Sequence, residues 1–299
     1  MGINFGNTER HIQYLFKENT EFKIYNNRYK ILLSGKPTCR YGEPKTDIYV
    51  LIQNINNYQK HEIKISIKQK NADFLENKIS ADRAESILGE NWMKIIQRST
   101  LQLKEEFYNR PLIYKNKYKR TNAGSITLGW KFELVNKYSG ELSDKIILTN
   151  RQIRDVYSGN NLPYDKKDAF VNGEKIENSG VANSILIGNI ADFNDINSVI
   201  DKLISIDDYA RLNPEIYFAC KALNYRTFEQ KFDGNRPLSV FVDWNAHNGM
   251  LDPTLCFDSP LIVRGNEIAN KLLCTLSILG INTTDDITER HIDLNRYSR

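Results

Sequence analysis

Two short segments near the N-terminus carry residues whose types and spacing could perform chemistry. The first, residues 45–52, contains Asp47. The second, residues 62–69, carries four polar residues: Glu62, Lys64, Ser66 and Lys68. A carboxylate can hold a divalent metal ion, and a lysine beside it can orient an attacking water or stabilise charge that develops during a reaction. The two segments therefore contain residue types that a metal-dependent site requires.

Both segments have the alternation that is typical of a β-strand, in which successive side chains point to opposite faces. The second segment places its isoleucines on one face, towards a core, and its four polar residues on the other: Ile63, Ile65 and Ile67. In the first segment the apolar set has the opposite parity to Asp47: Ile48, Val50 and Ile52. A polar turn over residues 53–61 predicts that the two strands pair antiparallel.

One possible register pairs Ile52 with His61. Asp47 then faces Ser66, and Lys68 lies diagonal to the acid at about 7–8 Å, within reach of its long side chain. A slip of two or four residues would instead bring to the acid a residue nearer the turn: Lys64 or Glu62. Parity alone does not choose between these registers.

The surrounding pattern supplies elements that could hold these strands. A capping residue and helical spacing predict a short amphipathic helix over residues 7–19, and alternation predicts extended chain over 22–33. From Ser80 the apolar spacing predicts a helix that continues to about Phe107.

The rest of the chain shows a weaker pattern. Residues 125–135 and 145–149 read as strands, and residues 157–180 read as irregular. Further predicted elements are a helix over 196–206, a buried strand over 237–244 and a helix over 266–279. This succession predicts a mixed α/β (α+β) fold with a central mixed sheet flanked by helices.

Bulk properties exclude several classes of protein. A net charge of +4 permits nucleic-acid binding without requiring it. The four cysteines contain no CxxC pair, which argues against a structural zinc site and a disulfide framework. No signal peptide is visible, and no apolar run approaches 18 residues, so we expect an intracellular, cytoplasmic protein that does not enter a membrane.

An acid on one strand, followed by acid-x-Lys on its antiparallel neighbour, resembles the signature of the PD-(D/E)xK nucleases, the fold of most type II restriction endonucleases. The matching residues are Pro44, Asp47 and either 62–64 or 66–68. The segment Ser66-Ile67-Lys68-Gln69 and the following residues 71–74 are also similar in sequence to restriction enzymes. The resemblance covers roughly residues 5–110. It implies an αβββαβ core, with a restriction-endonuclease-like sheet.

The resemblance also implies a site and a cofactor. Mg²⁺ would be held by Asp47 and a second acid, with Lys68 acting on the attacking water or on the phosphate. Because Ser66 stands where the family often has a carboxylate, the second acid remains open among three candidates: Glu62, Asp82 and Glu85. Glu76 stands behind the last two.

The implied activity is Mg²⁺-dependent cleavage of double-stranded DNA at a short sequence by a bacterial restriction endonuclease. The region after about residue 110 is far larger than the catalytic core needs. We therefore expect a catalytic core over residues 1–125 and DNA-recognition elements over 126–299, in one continuous domain or two. A basic tract supplies the candidate DNA contacts: Lys115, Lys117, Lys119, Arg120 and Asn122. Cleavage of both strands at a symmetric site implies a homodimer. The rival readings are a PD-(D/E)xK nuclease of repair or recombination and a DNA-binding protein without activity.

Overall fold

The structure, a computed structural model, describes residues 2–40, 42–69, 74–77 and 79–299. Residues 71–73, which contribute to the family resemblance, lie outside this range. No helix within the described ranges has the length and apolar character needed to cross a bilayer.

The α-helices of the described chain are numbered in chain order. They are α1 Gly2–Leu15, α2 Ala81–Leu88, α3 Trp92–Gln102, α4 Lys104–Tyr108, α5 Asn150–Ser158, α6 Tyr164–Lys167, α7 Ile196–Ile200, α8 Ile206–Leu212, α9 Gly265–Ile278 and α10 Leu294–Tyr297.

The strands are numbered in the same way. They are β1 Glu21–Ile24, β2 Asn27–Gly35, β3 Ile48–Asn54, β4 Lys60–Lys68, β5 Phe74–Glu76, β6 Ile113–Tyr114, β7 Ser125–Val135, β8 Ser143–Ile146, β9 Phe170–Val171, β10 Glu174–Lys175, β11 Ser184–Ile187, β12 Ile204–Ser205, β13 Ile216–Arg226, β14 Lys231–Phe232, β15 Val240–His247 and β16 Met250–Cys256.

The chain forms two compact units that are interleaved in sequence. The first unit comprises residues 1–72 and 148–214, and the second comprises 73–147 and 215–299. The chain therefore leaves the first unit after β4 and returns to it before α5. This division does not follow the expected boundary at residue 125, because residues 148–214 pack with the N-terminal strands.

The first unit is built on a mixed sheet in the order β1-β2-β3-β4-β11-β12. Neighbours pair antiparallel except β4 and β11, which are parallel. The isoleucine faces of β3 and β4 are buried, and residues from α1 and α7 pack against them: Ile12, Phe16, Ile196 and Val199. The mixed α/β class predicted from the sequence is confirmed.

The predicted pairing of the two chemically interesting strands is confirmed residue by residue. β3 and β4 are antiparallel, and Ile52 pairs with His61. Alternation also holds, since Ile63, Ile65 and Ile67 are buried while Glu62 on the opposite face is exposed.

The second unit contains a sheet in the order β14-β13-β7-β15-β16, with β5 and β6 also pairing β7 and β8 pairing β13. The long strand β7 is buried along nearly its whole length. It approaches β15 so closely at Gly129 that an added Cβ would lie 2.5 Å from the carbonyl oxygen of Val240. Helix α9 packs on this sheet through β15 and β7.

Several predicted elements differ from the observed ones. The helix predicted from Ser80 to Phe107 is broken into α2, α3 and α4, because Gly89 ends α2 with a positive φ of 78°. The helix predicted over 196–206 stops at Ile200 and is followed by β12. Residues 157–180 are less irregular than predicted, since they contain α6 and the hairpin of β9 and β10.

Candidate active site

Asp47 lies immediately before β3 and is held to β4 by two hydrogen bonds. Its backbone N–H donates to the carbonyl oxygen of Ile65 at 2.8 Å. Its Oδ2 accepts a bond of 2.7 Å from the backbone N–H of Ile67. No described residue donates a hydrogen bond to its Oδ1. The carboxylate is thus fixed in place with one oxygen left for another ligand.

The residues before Asp47 are held by Gly180. The backbone N–H groups of Lys45 and Thr46 both donate to the carbonyl oxygen of Gly180, at 2.9 and 3.1 Å. A side chain at position 180 has no room, because an added Cβ would lie 1.8 Å from the carbonyl oxygen of Lys166. This glycine therefore allows the close backbone approach that positions the acid.

Lys68, the last residue of β4, acts electrostatically on Asp47. Burial raises the pKa of the Asp47 carboxyl from 3.8 to about 6, although the positive charge of Lys68 and the hydrogen bond from Ile67 both oppose the rise. The negative charge of Glu9 adds to it, and Lys36 opposes it. Asp47 and Lys68 therefore belong to one group of interacting charges, as the register predicts.

Glu9 and Lys36 complete this group and were not among the sequence-predicted site residues. Glu9 lies on α1, is almost fully buried, and forms an ion pair of 2.6 Å with Lys36, the residue after β2. Burial alone would lower the pKa of Lys36, but its contacts with Glu9 and the charges of Glu43 and Asp47 raise it. The sequence does contain an indication that Glu9 is buried, since it lies three residues before Ile12 and therefore on the apolar face of α1.

Glu62 lies apart from this group. It pairs with Leu51 near the turn, four residues along the strand from the position of Ser66, which corresponds to about 13 Å. There it accepts a hydrogen bond of 2.7 Å from the Tyr49 hydroxyl and an ion pair of 3.2 Å from Lys64. The geometry therefore does not bring Glu62 and Asp47 together on one ion.

Ser66 is brought to Asp47 by the register but is sealed from solvent. Its side chain is fully buried, and its hydroxyl makes no hydrogen bond to any described residue. It lies between Asp47 of the antiparallel neighbour and Ile185 of the parallel strand β11. Ser66 therefore contributes to the packing beneath the acid.

The other candidate metal ligands, Asp82 and Glu85, belong to the second unit. Both lie on α2 and are exposed. Glu76, behind them, forms an ion pair of 2.9 Å with the buried Arg83. Within the first unit, Glu9 is instead the carboxylate that acts on Asp47.

The predicted DNA-binding residues form an exposed loop of the second unit between β6 and β7. Lys117, Lys119, Arg120 and Asn122 are exposed, and Lys115 is partly exposed. Lys119 forms an ion pair of 3.2 Å with Glu141 and lies over the ring of Tyr118. The other side chains of the loop remain available to an anionic partner.

The fit of the group around Asp47 to a metal can be judged from its donors. No cluster of three or more His, Cys, Asp or Glu side chains within the described ranges could hold an ion. Mg²⁺ does not need one, because it is commonly held by one or two carboxylates together with water and substrate phosphates. Asp47 and Glu9 supply that number of hard oxygen donors.

Comparisons of the chain with known proteins found no relative. No protein-family model matches it, no curated protein matches it, and no solved structure matches it.

Proposed function

We propose that this protein is a Mg²⁺-dependent endonuclease that hydrolyses phosphodiester bonds of double-stranded DNA. One observation carries the proposal: Asp47, immediately before β3, is hydrogen-bonded to the last residues of β4 and interacts electrostatically with Lys68 and with a second acid, Glu9. An acid and a lysine from adjoining strands are the parts that the PD-(D/E)xK resemblance requires.

The topology of the first unit supports the same proposal. Its elements include, in order, α1, β2, β3, β4, α5 and β11, which is the αβββαβ succession that the resemblance implies. The fourth strand of this set, β11, pairs parallel with the third, β4. The restriction-endonuclease-like fold remains part of the proposal.

In the proposed mechanism Asp47 and Glu9 would hold the cofactor. A bound Mg²⁺ would supply Lewis-acid polarisation of the scissile phosphate and a water of lowered pKa. The Asp47 Oδ1 is the oxygen available for coordination, while the bond from Ile67 to Oδ2 keeps the carboxylate oriented. Glu9 must exchange its contact with Lys36 for this role.

Lys68 would orient the attacking water and stabilise the charge that develops on the phosphate, because a preorganised cation is effective in a partly dehydrated site. Lys36, once released by Glu9, would lie beside the same anionic substrate. Ser66 would support the floor of the site and take no part in proton transfer.

The finer assignment is a type II restriction endonuclease of a bacterial restriction-modification system, acting in the cytoplasm. The second unit would read base edges, because phosphate contacts alone carry no sequence information. A homodimer would match the two-fold symmetry of a palindromic site. The exposed loop from Lys115 to Asn122 would contact the DNA backbone.

The decisive experiment is incubation of the purified protein with supercoiled plasmid and Mg²⁺, followed by mapping of fragment ends. Discrete fragments with one flanking sequence would support the restriction enzyme, and cleavage without a common sequence would favour a repair or recombination nuclease. Cleavage must disappear with EDTA and with Asp47→Asn. Plasmid that stays intact over a range of Mg²⁺ and Mn²⁺ concentrations would reject the nuclease and leave a DNA-binding protein.

A further inference from the structure

A small basic pocket lies in the second unit, away from the residues assigned above. It has a volume of about 110 Å³, enough for several water molecules or one small oxyanion. Three cationic side chains line it together with polar groups of the segment before α2: Lys131, Arg236, Arg264, Asn77 and Ser80. Among the described residues that line the pocket, none carries a carboxylate.

The two guanidinium groups of this pocket lack acidic partners. Arg236 makes no side-chain hydrogen bond or ion pair to a described residue, and Arg264 only donates to the carbonyl oxygen of Asn235 at 2.9 Å. Arg236 and Arg264 are exposed, whereas the partly buried arginines of the same unit have a carboxylate partner: Arg83, Arg110 and Arg226. Lys131 is already paired with Glu133 at 2.7 Å. The uncompensated charge therefore resides on Arg236 and Arg264.

Two helices begin at the edge of the same pocket. Ser80 is the N-cap of α2, and Arg264 is the N-cap of α9. The N-terminal end of a helix carries a partial positive charge, so α2 adds to the potential of the arginines. At α9 the first N–H groups are used within the protein, since that of Arg264 donates to Glu267 Oε1 at 2.9 Å and that of Gly265 donates to the carbonyl oxygen of Arg236 at 2.9 Å. The acids in the first turns of the two helices, Asp82 and Glu267, are exposed and do not line the pocket.

We propose that this pocket binds one phosphate group of a DNA strand, through Arg236 and Arg264. The choice of DNA as the source rests on the proposed function. The site itself rests on the pocket, on two guanidinium groups without a carboxylate partner among the described residues, and on the start of α2. Its volume accepts a phosphate but not a nucleotide, which suits a backbone phosphate that enters while the rest of the strand remains outside.

The test measures binding of a fluorescein-labelled 20-base-pair duplex in EDTA, so that cleavage plays no part. Arg236→Gln is the main variant, because its exposed side chain has no partner whose loss would affect folding. Arg290→Gln is the matched control, since Arg290 is an exposed arginine of the same unit that does not line the pocket. A circular dichroism melt of each variant checks folding.

We expect Arg236→Gln to weaken binding roughly fivefold to tenfold and to reduce the slope of log K against log salt by about 1, as for the loss of one phosphate contact. Arg290→Gln should change both quantities much less. Equal effects of the two variants would overturn the proposal, because the pocket would then contribute only general charge.

Two further measurements separate the possible failures. In the first, millimolar inorganic phosphate is added and the melting temperature is measured. If phosphate raises the melting temperature of wild type but not of Arg236→Gln, and the variant binds DNA as wild type does, the pocket binds free phosphate and the DNA assignment is overturned. A protein that binds DNA through Arg236 yet never cleaves plasmid would refute the nuclease proposal and leave the phosphate site standing.

Discussion

The carboxylate of Asp47 accepts a hydrogen bond of 2.7 Å from the backbone N–H of Ile67, the residue directly before Lys68. The bond joins the start of one strand to the end of its neighbour. It places the acid and the lysine on the same side of the sheet and gives the acid a fixed orientation. Several expected outcomes depend on this arrangement.

Asp47→Asn should abolish cleavage and stabilise the protein above pH 6. Because the pKa of Asp47 is about 6 in the folded protein and near 3.8 unfolded, the folded state binds the proton more tightly. Its stability contribution is therefore favourable at low pH and is lost as pH rises through 6. The ionised form opposes folding by up to about 3 kcal/mol at pH 8. Asparagine keeps an acceptor for Ile67 without that charge.

Urea denaturation of both proteins at pH 8 and pH 5 would measure this difference. We expect a gain of about 1–3 kcal/mol for the variant at pH 8 and roughly half of that gain at pH 5, because the unfolded carboxyl is already mostly ionised there. Asp201→Asn, at an exposed position of the same unit, is the control for the change of side chain. A variant that is less stable than wild type at pH 8 would contradict the burial of Asp47.

Lys68→Ala should reduce the cleavage rate by roughly 10²–10³-fold, the usual effect of removing one preorganised charge from a reacting centre. Duplex affinity in Ca²⁺ should change little. The control is Lys64→Ala, on the same face of β4 but paired with Glu62. Single-turnover cleavage assays would compare the two variants. Similar losses from both would show that Lys68 has no special place in the reaction.

Glu9→Gln should raise the Mg²⁺ concentration needed for half-maximal cleavage by about tenfold or more, because it removes one of two carboxylate donors. Glu62→Gln should leave this concentration near the wild-type value, since Glu62 lies about 13 Å along the strand from the site. Titration of the cleavage rate with Mg²⁺ distinguishes them. The reverse order of sensitivity would transfer the second-ligand role to Glu62.

Ser66→Ala should increase the free energy of unfolding by about 1 kcal/mol and preserve most of the cleavage activity. Its buried hydroxyl has no partner among the described residues, and an unsatisfied polar group opposes folding. Ser239→Ala is the contrasting variant, because the Ser239 hydroxyl donates to the carbonyl oxygen of Trp130 at 3.0 Å. That change should destabilise by about 1 kcal/mol. A large loss of activity in Ser66→Ala would instead give the hydroxyl a catalytic role.

Gly180→Ala should destabilise the protein by about 2 kcal/mol or more and reduce cleavage, because its methyl group would lie 1.8 Å from the carbonyl oxygen of Lys166. Gly6→Ala in α1 is the control, since its Cβ would meet only the Arg10 side chain at 3.5 Å. Alanine there should be neutral or stabilising. Thermal melts measure both variants, and equal melting temperatures would refute the role of Gly180.

The sequence was sufficient for the local geometry of β3 and β4. Alternation with a period of two determines which side chains share a face, and the observed pairing of Ile52 with His61 is one of the registers that this parity allows. Alternation is a short-range rule. The helix over 266–279 was equally accessible, because its apolar spacing agrees with α9 almost to the residue.

Long-range contacts were not accessible in the same way. Glu9 reaches the site because α1 packs against a sheet formed by later residues. A single acid on the apolar face of a helix does not reveal from the sequence which residue it will contact. β11 pairs with β4 across a long excursion of the chain, which no local pattern reveals. β13 was missed because its sequence, IYFACKALNYR, combines a continuous apolar run with charged residues instead of alternating.

The excursion of the chain between β4 and β11 has a consequence for biosynthesis. Gly180, whose carbonyl holds the two residues before Asp47, and β11, which covers the far edge of β4, leave the ribosome only after residues 73–147 have been made. A nascent chain that ends within that insertion carries Asp47 and Lys68 without their supporting contacts. If the proposed function is right, the nascent chain would therefore not cleave DNA until residues as far as β11 had been synthesised.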